Sequence, residues 1–429
     1  MKNILWISNI LFPEAITLLS GSRSSLIGSG GWLVSSAESL ISLGGYRMVV
    51  VAPTNLVNSL QKLEGSYITF YALPCKNERK YNKSYEAMFR EIVSKENIDI
   101  AHLHGTEFAH GLAFLRACPD IPSVLSIQGI SEEIGCHYLD GFSIGDVLRN
   151  ITFFDLVYNG SLYKQRARYI RHGNYIEREI IKKVKHIIGR TSFDRAHTAI
   201  LNRDAIYYKC NESLRTEFYD GSVWNSGTCM KHSIFLSQSS YPIKGLQQVL
   251  KAMPYVLRKY PDAHIRVAGA DITKVQTIKQ WILRTSYSKY ITGLIKKLGL
   301  KDKVTFTGPL DAEQMKKEYL SSNVFVSPSS IENSPNSVAE AQMLGVPCVA
   351  SFVGGTSDMI PTKACGTLYR YEDVVMLANA ICDVFDCSWD SKEEIRVATT
   401  RHNKDANILQ LVDVYNSILN QKLNEPQEI

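Results

Sequence analysis

Residues 323–356 read NVFVSPSSIENSPNSVAEAQMLGVPCVASFVGGT. The apolar run Val324-Phe325-Val326 ends in Ser327-Pro328-Ser329-Ser330, which predicts a buried strand stopping at a loop. A helical pattern opens near Ser334-Pro335, where proline is tolerated because first-turn N–H groups have no partner inside a helix. Val338, Ala341, Gln342 and Leu344 carry that pattern to Gly345, a residue suited to ending a helix. A second strand over 347–352 then stops at Gly354-Gly355-Thr356. Strand, helix and strand, with loops at both strand ends, predict a unit of a doubly wound parallel sheet.

Two carboxylates stand in this stretch. Glu332 lies in the loop before the helix and Glu340 lies within it, eight residues on. The helix start, Asn333-Ser334-Pro335-Asn336-Ser337, offers backbone N–H groups, and its dipole favours an anion. Carboxylates suit hydroxyl-rich ligands because each accepts several hydrogen bonds. Amides aimed at an anion, with carboxylates beside it, suit a nucleoside diphosphate carrying a sugar. The same two glutamates also read as ordinary solvated helix residues.

The words around them resemble a known family. E-N-S-P-N-S-V-A-E-A-Q-M-L-G-V-P-C-V-A-S, followed by Gly354-Gly355, resembles the E-x7-E signature of the retaining glycosyltransferases of family 4, and pieces of the likeness recur along nearly the whole chain. The resemblance implies an α/β chain of the GT-B class: two Rossmann-like doubly wound domains facing a central cleft, with a C-terminal helix crossing back to the first. It implies that Glu332 contacts the donor sugar and that Glu340 holds the ribose hydroxyls.

The 429 residues exceed one typical core. An N-terminal acceptor-binding domain over 1–222, a nucleotide-sugar domain over 223–404 and a terminal helix over 405–429 are expected. Hydrophobic residues make up 45% and charged residues 21%, ordinary for a globular protein, and a net charge of +6 is too small for a dedicated nucleic-acid binder. Nine cysteines fall at scattered positions without zinc spacing, fitting buried reduced thiols in a cytoplasmic protein. The opening MKNILWISNILFPEA is interrupted by Asn9, Pro13 and Glu14, and reads as a buried strand rather than a signal peptide. No apolar stretch approaches the ~20 residues of a bilayer span.

Strand one is followed by a Gly-rich loop over 21–31 and a helix from Trp32 to Leu43, with Gly30 and Gly31 letting a ligand approach backbone N–H groups. The order is not G-x-G-x-x-G and no G-K-[ST] occurs, so dinucleotide and P-loop chemistry are unsupported. In the resembling transferases this glycine pair faces donor phosphate and acceptor, which brings in Trp32. The strand 99–105, D-I-A-H-L-H-G, carries His102 and His104 on one face. His102 is the better structural candidate, and the resemblance places His104 beside the donor sugar. Gln128 stands where the family usually has another histidine. An amide can bind an acceptor there but cannot titrate.

Residues 164–185 hold eight Lys or Arg against two Glu, with Ile176, Ile180, Val184 and Ile187 on one helical face and Arg178, Lys182 and Lys185 on another. This is a surface helix packing one side, or else a helix docking on anionic lipid. Gly189-Arg190-Thr191-Ser192-Phe193-Asp194 resembles the family's G-R-T-x-W-D.

After residue 230 the pattern restarts. Lys244, before Gly245 and a helix, is placed to neutralise a diphosphate and matches the lysine of the family's G-R-x…K-G, although the preceding arginine is missing. Gly269 and Gly308 end two further strands and admit a base or ribose close to backbone, with Asp271 and Leu310 as weaker lining candidates. Residues 274–303 read as a basic solvated insertion, and 407–419 as a last amphipathic helix.

The resemblance therefore implies a retaining transferase that needs no metal or other cofactor. The resemblance further implies a nucleotide-diphosphate sugar (UDP- or GDP-sugar) as donor and a saccharide or lipid-linked saccharide as acceptor, in bacterial surface polysaccharide synthesis. Glu332, His104 and Lys244 carry the chemistry, and Trp32 and Gln128 lie toward the acceptor. The protein is expected in the cytoplasm, with peripheral association at the inner membrane surface and no nucleic-acid partner. A sugar-nucleotide epimerase and a catalytically idle partner-binding subunit are the competing readings. Loops over 21–29 and 135–152 are expected to set specificity.

Overall fold

The computed structural model describes residues 1–21, 30–158 and 160–424. The chain divides into two compact units, one of residues 1–131, 171–214 and 402–429, the other of 132–170 and 215–401.

The N-terminal unit is built on eight strands: β1 (Lys2–Ile7), β2 (Tyr46–Thr54), β3 (Gln61–Glu64), β4 (Ile68–Pro74), β5 (Ile100–His104), β6 (Ser123–Ser126), β7 (His186–Gly189) and β8 (Ile206–Lys209). Their order is β3-β4-β2-β1-β5-β6-β7-β8, parallel except for β3 against β4. β5 is buried at every position, as expected where helices cover both faces of a parallel sheet. Alternation along β1 sends Leu5 and Ile7 to one core and Ile4 and Trp6 to the other. The helix Lys404–Asn424 joins this second core through Ile408, Leu411, Val414, Tyr415 and Ile418, so the chain returns to its first unit.

The C-terminal unit carries β9 (Met230–Leu236), β10 (His264–Val267), β11 (Val304–Phe306), β12 (Ser322–Ser327), β13 (Cys348–Ser351) and β14 (Thr367–Tyr369), in the order β11-β10-β9-β12-β13-β14 and parallel throughout. In each sheet the order reverses around the first strand, and ligands of such sheets bind outside the carboxyl ends at that point.

Four expectations need correction. Residues 132–170, assigned by the sequence to the first domain, group with the C-terminal unit. There Lys251 Nζ donates to Gly141 O at 2.6 Å, Tyr371 Oη to Asp140 O at 2.9 Å, and Ser286 Oγ to Asp155. The remaining crossings, at 214/215 and 401/402, fall near the expected 222/223 and 404/405.

The basic helix over 164–185 is not continuous. Leu162–His172 gives way to a π-helical turn, Gly173–Glu177, then to Arg178–Lys183, and Ile187 belongs to β7. Ile180, Ile181, Val184 and Ile187 are core, so no apolar face remains there to enter lipid. Residues 274–303 are not a wholly solvated insertion, because the helix Ser286–Lys297 buries Tyr287, Tyr290 and Ile291. Finally, Cys136 and Cys387 are exposed rather than buried.

No helix among the described residues is long and apolar enough to cross a membrane. Residues 22–29 of the Gly-rich loop lie outside the described residues.

Candidate active site

At the carboxyl end of β9 the chain makes a 3-10 turn, Pro242–Lys244, closed by Gly245 at φ +72°. A Cβ at Gly245 would stand 1.7 Å from the Pro328 carbonyl oxygen, so only glycine lets this turn reach the loop after β12. Ser330 N donates to Ile243 O at 2.8 Å and fixes the two together. On the other side, a Cβ at Gly354 would stand 2.0 Å from the Glu332 carbonyl oxygen, which accepts from Gly355 N at 3.0 Å. The 328–332 loop is thus held between two glycine turns, and these are the K-G and G-G pairs of the sequence.

That clamp brings Lys244 Nζ to 2.5 Å from Glu332 Oε1, which also accepts from Ser329 Oγ at 2.7 Å. The side chains keep 20% and 15% of their surface, so neither glutamate–lysine partner is a solvated helix residue. Burial works to discharge the ammonium, but the Glu332 carboxylate outweighs it and holds Lys244 above the ordinary lysine value.

Gly245→Ala is expected to lower stability by about 1–3 kcal/mol through left-handed strain and the clash. Gly221→Ala, at φ +81° with open space around it, carries the strain without the clash. Urea midpoints of the two variants separate the contributions.

Glu340 projects from the helix Asn336–Met343, with its side chain only 8% exposed. Arg215 grips it in a bidentate pair, Nε to Oε1 and Nη2 to Oε2, both at 2.7 Å. Burial raises the carboxyl and the guanidinium opposes that rise. A carboxylate has lone pairs beyond those Arg215 takes, and Tyr319 also bears on this one. The helix starts at Asn336 with Pro335 as its cap, one residue later than the pattern suggested.

Ser334 Oγ lies 3.4 Å from Met359 Sδ, and Asn333 is buried. Asn336 Oδ1 is buried without a partner among the described residues. The Ser337 carbonyl accepts from Tyr319 Oη at 3.0 Å. Gly269 and Gly308 meet each other, with Gly269 N donating to Gly308 O at 2.9 Å. Asp271 caps its own turn by accepting from Thr273 N at 2.9 Å.

In the N-terminal unit, His102 is the structural histidine of the pair. Its Nδ1 meets Tyr415 Oη and its Nε2 meets Ser126 Oγ, each at 2.7 Å, and burial lowers it to about 3. His104 stacks 3.8 Å from His102 and 4.4 Å from Trp6, ring centre to ring centre. Both its ring nitrogens are buried without partners among the described residues. Burial first, then His102, keep it neutral, so it offers one donor and one acceptor.

A pocket beside His104 is lined by Trp6, Trp32, Arg190, Asn211 and Glu212. Trp32 sits on the helix Gly31–Ser42, and Gly30 caps that helix at φ +83°. A Cβ at Gly30 would overlap Ile10. Gln128 is already engaged. Its Nε2 donates to Glu212 Oε1 at 2.7 Å and its Oε1 accepts from Arg190 Nη2 at 3.3 Å. The Arg190-Thr191-Ser192-Phe193-Asp194 stretch is a helix start, with Thr191 and Asp194 forming a capping box.

Arg215 was invisible to sequence reasoning. It lies 125 residues from Glu340 in an unpatterned segment, and its only signal is a cation close to the domain boundary. Asn211, whose Oδ1 is buried without a partner among the described residues, was missed for the same reason.

Comparison with known proteins bears on both units. The family model for glycosyl transferases group 1 matches residues 230–402. A D-inositol 3-phosphate glycosyltransferase of Corynebacterium diphtheriae is 27% identical over 161 residues, 37% of this chain and 35% of that protein. The chain thus spans about a third of the length of the curated relatives it matches first.

Among solved structures, sucrose-phosphate synthase from Thermosynechococcus elongatus superposes with TM-score 0.69 at 16% identity, covering 98% of this chain and 100% of the other. Anabaena HepE in complex with UDP gives 0.61 at 14%, covering 97% and 100%. At these identities the likeness establishes the fold, which is GT-B.

Proposed function

We propose, on the premise that this chain belongs to the glycosyl transferases group 1 family through residues 230–402, that it is a retaining glycosyltransferase using a nucleotide-diphosphate sugar. The observation that carries the reading is the Lys244–Glu332 pair, fixed at 2.5 Å beside the start of the helix Asn336–Met343. The ammonium and the amides of Asn336 and Ser337 hold the charge that develops on the departing diphosphate, the largest single contribution such a site can make. Glu332 accepts from donor-sugar hydroxyls, and Glu340 accepts from the ribose while held by Arg215. His104, neutral and with both ring nitrogens unpartnered among the described residues, is the N-terminal unit's candidate for positioning a sugar hydroxyl. Gly269 and Gly308 are the nucleoside candidates of the C-terminal unit, and Gly30, Gly31, Trp32 and Gln128 are the phosphate and acceptor candidates of the N-terminal unit.

No divalent metal is required in this scheme, because the leaving-group charge is met by Lys244 and helix amides. The acceptor is a saccharide or lipid-linked saccharide, in bacterial surface polysaccharide synthesis at the cytoplasmic face of the membrane. The UDP seen in HepE makes a uridine nucleotide the first donor to try.

The test is a thermal-shift screen against UDP, GDP, ADP, CMP and UMP, with and without EDTA. A ligand that binds only the native state at 100-fold its Kd stabilises by about 2.7 kcal/mol. One diphosphate should stabilise the wild type, EDTA should leave that shift intact, and Glu340→Gln should reduce it. Glutamine is preferred to alanine because it keeps the shape and one acceptor oxygen for Arg215. A shift abolished by EDTA removes the metal-free scheme, and no shift with any nucleotide removes the transferase reading.

A further inference from the structure

The expected specificity loop over 135–152 and the residues just after it form two short helices with exposed apolar side chains. Ile144–Arg149 shows Ile144 at 70% and Leu148 at 56% exposure, and Phe153–Val157 shows Phe153 at 50% and Leu156 at 73%. A third short helix, Ile278–Ile282, exposes Ile278 at 80% and Trp281 at 59%. All three belong to the C-terminal unit. Ser286, four residues past that last helix, donates to Asp155, and Lys289 Nζ donates to Arg149 O at 3.2 Å and Ile151 O at 3.0 Å. The start of the half-buried helix Ser286–Lys297 thus holds the segment 149–155 and lies four residues past the third short helix. Contiguous exposed apolar side chains on a folded protein mark an interaction surface.

The charges among them are one-sided. Residues 143–158 and 274–289 contain the cations Arg149, Lys274, Lys279, Arg284 and Lys289 but only two carboxylates, Asp146 and Asp155. Both carboxylates are consumed in capping boxes, with Ser143 and Thr152. A face that mixes aliphatic residues, an exposed tryptophan and cations, with its acids turned to local work, matches the boundary of an anionic bilayer.

We infer that this face of the C-terminal unit docks the protein on an anionic lipid surface, with Ile144, Leu148, Phe153, Leu156, Ile278 and Trp281 entering the interface and Arg149, Lys274 and Lys279 meeting lipid phosphates. It differs from the basic stretch 164–185, whose apolar side is spent in the core. The inference is compatible with the lipid-linked acceptor proposed above and stands apart from donor chemistry, which the nucleotide screen decides in solution.

The experiment is flotation of the full chain with vesicles of phosphatidylcholine alone or with about one-third phosphatidylglycerol, alongside the variant Leu156→Ser/Ile278→Ser/Trp281→Ser. The wild type should float with the anionic vesicles only, and 0.5 M salt should weaken binding, as screening demands. The triple variant should bind about tenfold less. Its nucleotide-induced thermal shift should match the wild type, showing that the fold is intact. Lys274→Glu/Lys279→Glu should lose binding while keeping every apolar residue. Failure to float, equal flotation of the triple variant, or a concentration-dependent dimer that the triple variant abolishes would overturn the assignment, the last in favour of a second copy as occupant.

Discussion

Lys244→Met is expected to lower kcat/KM for the sugar nucleotide about 10²–10³-fold, the loss seen when one preorganised charge-stabilising donor is removed. Methionine keeps the length and apolar stem of the side chain, so the packing of the Pro242–Lys244 turn survives. What goes is the ammonium 2.5 Å from Glu332. In the proposed scheme that charge serves the diphosphate, so the variant should lose affinity for the nucleoside diphosphate much more than for the monophosphate. A role confined to holding Glu332 would weaken both alike, and isothermal titration of UDP and UMP reads the difference.

The charge state is robust. The folded value of Lys244 lies above its ordinary 10.5, so the stability it contributes is fully present below that value and is lost only in stronger alkali. Any rate dependence between pH 6 and 9 must come from another group.

Glu394→Gln is expected to raise stability on the order of 2–4 kcal/mol near pH 8 and to change it little near pH 4. Glu394 is fully buried, with Oε1 accepting from Trp389 Nε1 at 2.7 Å and Oε2 unpartnered among the described residues. Burial pushes its carboxyl up to about 9 from 4.5, against a smaller opposing effect of the Trp389 hydrogen bond. The native state therefore binds this proton more tightly than the unfolded chain. Its contribution to stability is complete below 4.5 and declines as pH rises toward about 9. Glutamine has the same shape and no proton to lose, so the slope disappears. Urea unfolding of both proteins at pH 4, 6 and 8 measures it, and parallel curves would mean that the site takes up water or rearranges.

What could be read beforehand follows from how locally each feature is encoded. The apolar run Val324–Phe325–Val326 and the 3.6-residue spacing over 336–343 lie in continuous chain, and both elements formed as expected. His102 was the better candidate for the structural histidine, and it takes two hydrogen bonds where His104 takes none among the described residues. The K-G and G-G pairs were legible as motifs, but their reason was not. The need for glycine at 245 and 354 comes from carbonyl oxygens of Pro328 and Glu332, which only the folded chain brings near.

Arg215 escaped because its partner is distant in sequence and its own neighbours carry no pattern. The helix expected over 164–185 failed at Gly173, where a single periodicity had been read across a π-turn and into a strand. The region 135–152 looked like loop because its helices are short and their apolar residues face outward rather than repeating toward a core.

The helix Lys404–Asn424 sets an order on the birth of the molecule. Trp6 Nε1 donates to Tyr415 Oη at 2.9 Å across 409 residues of chain, and the same hydroxyl holds His102. At ribosomal speeds of ~5–20 residues per second, roughly 20–80 s pass between the synthesis of Trp6 and of Tyr415. The unit made first is thus the one finished last. Throughout that interval Trp6, Ile4 and Leu40 lack the wall that Ile408, Leu411 and Tyr415 supply. The nascent N-terminal sheet is a sticky surface in waiting, and it is here that a chaperone has most reason to hold the growing chain.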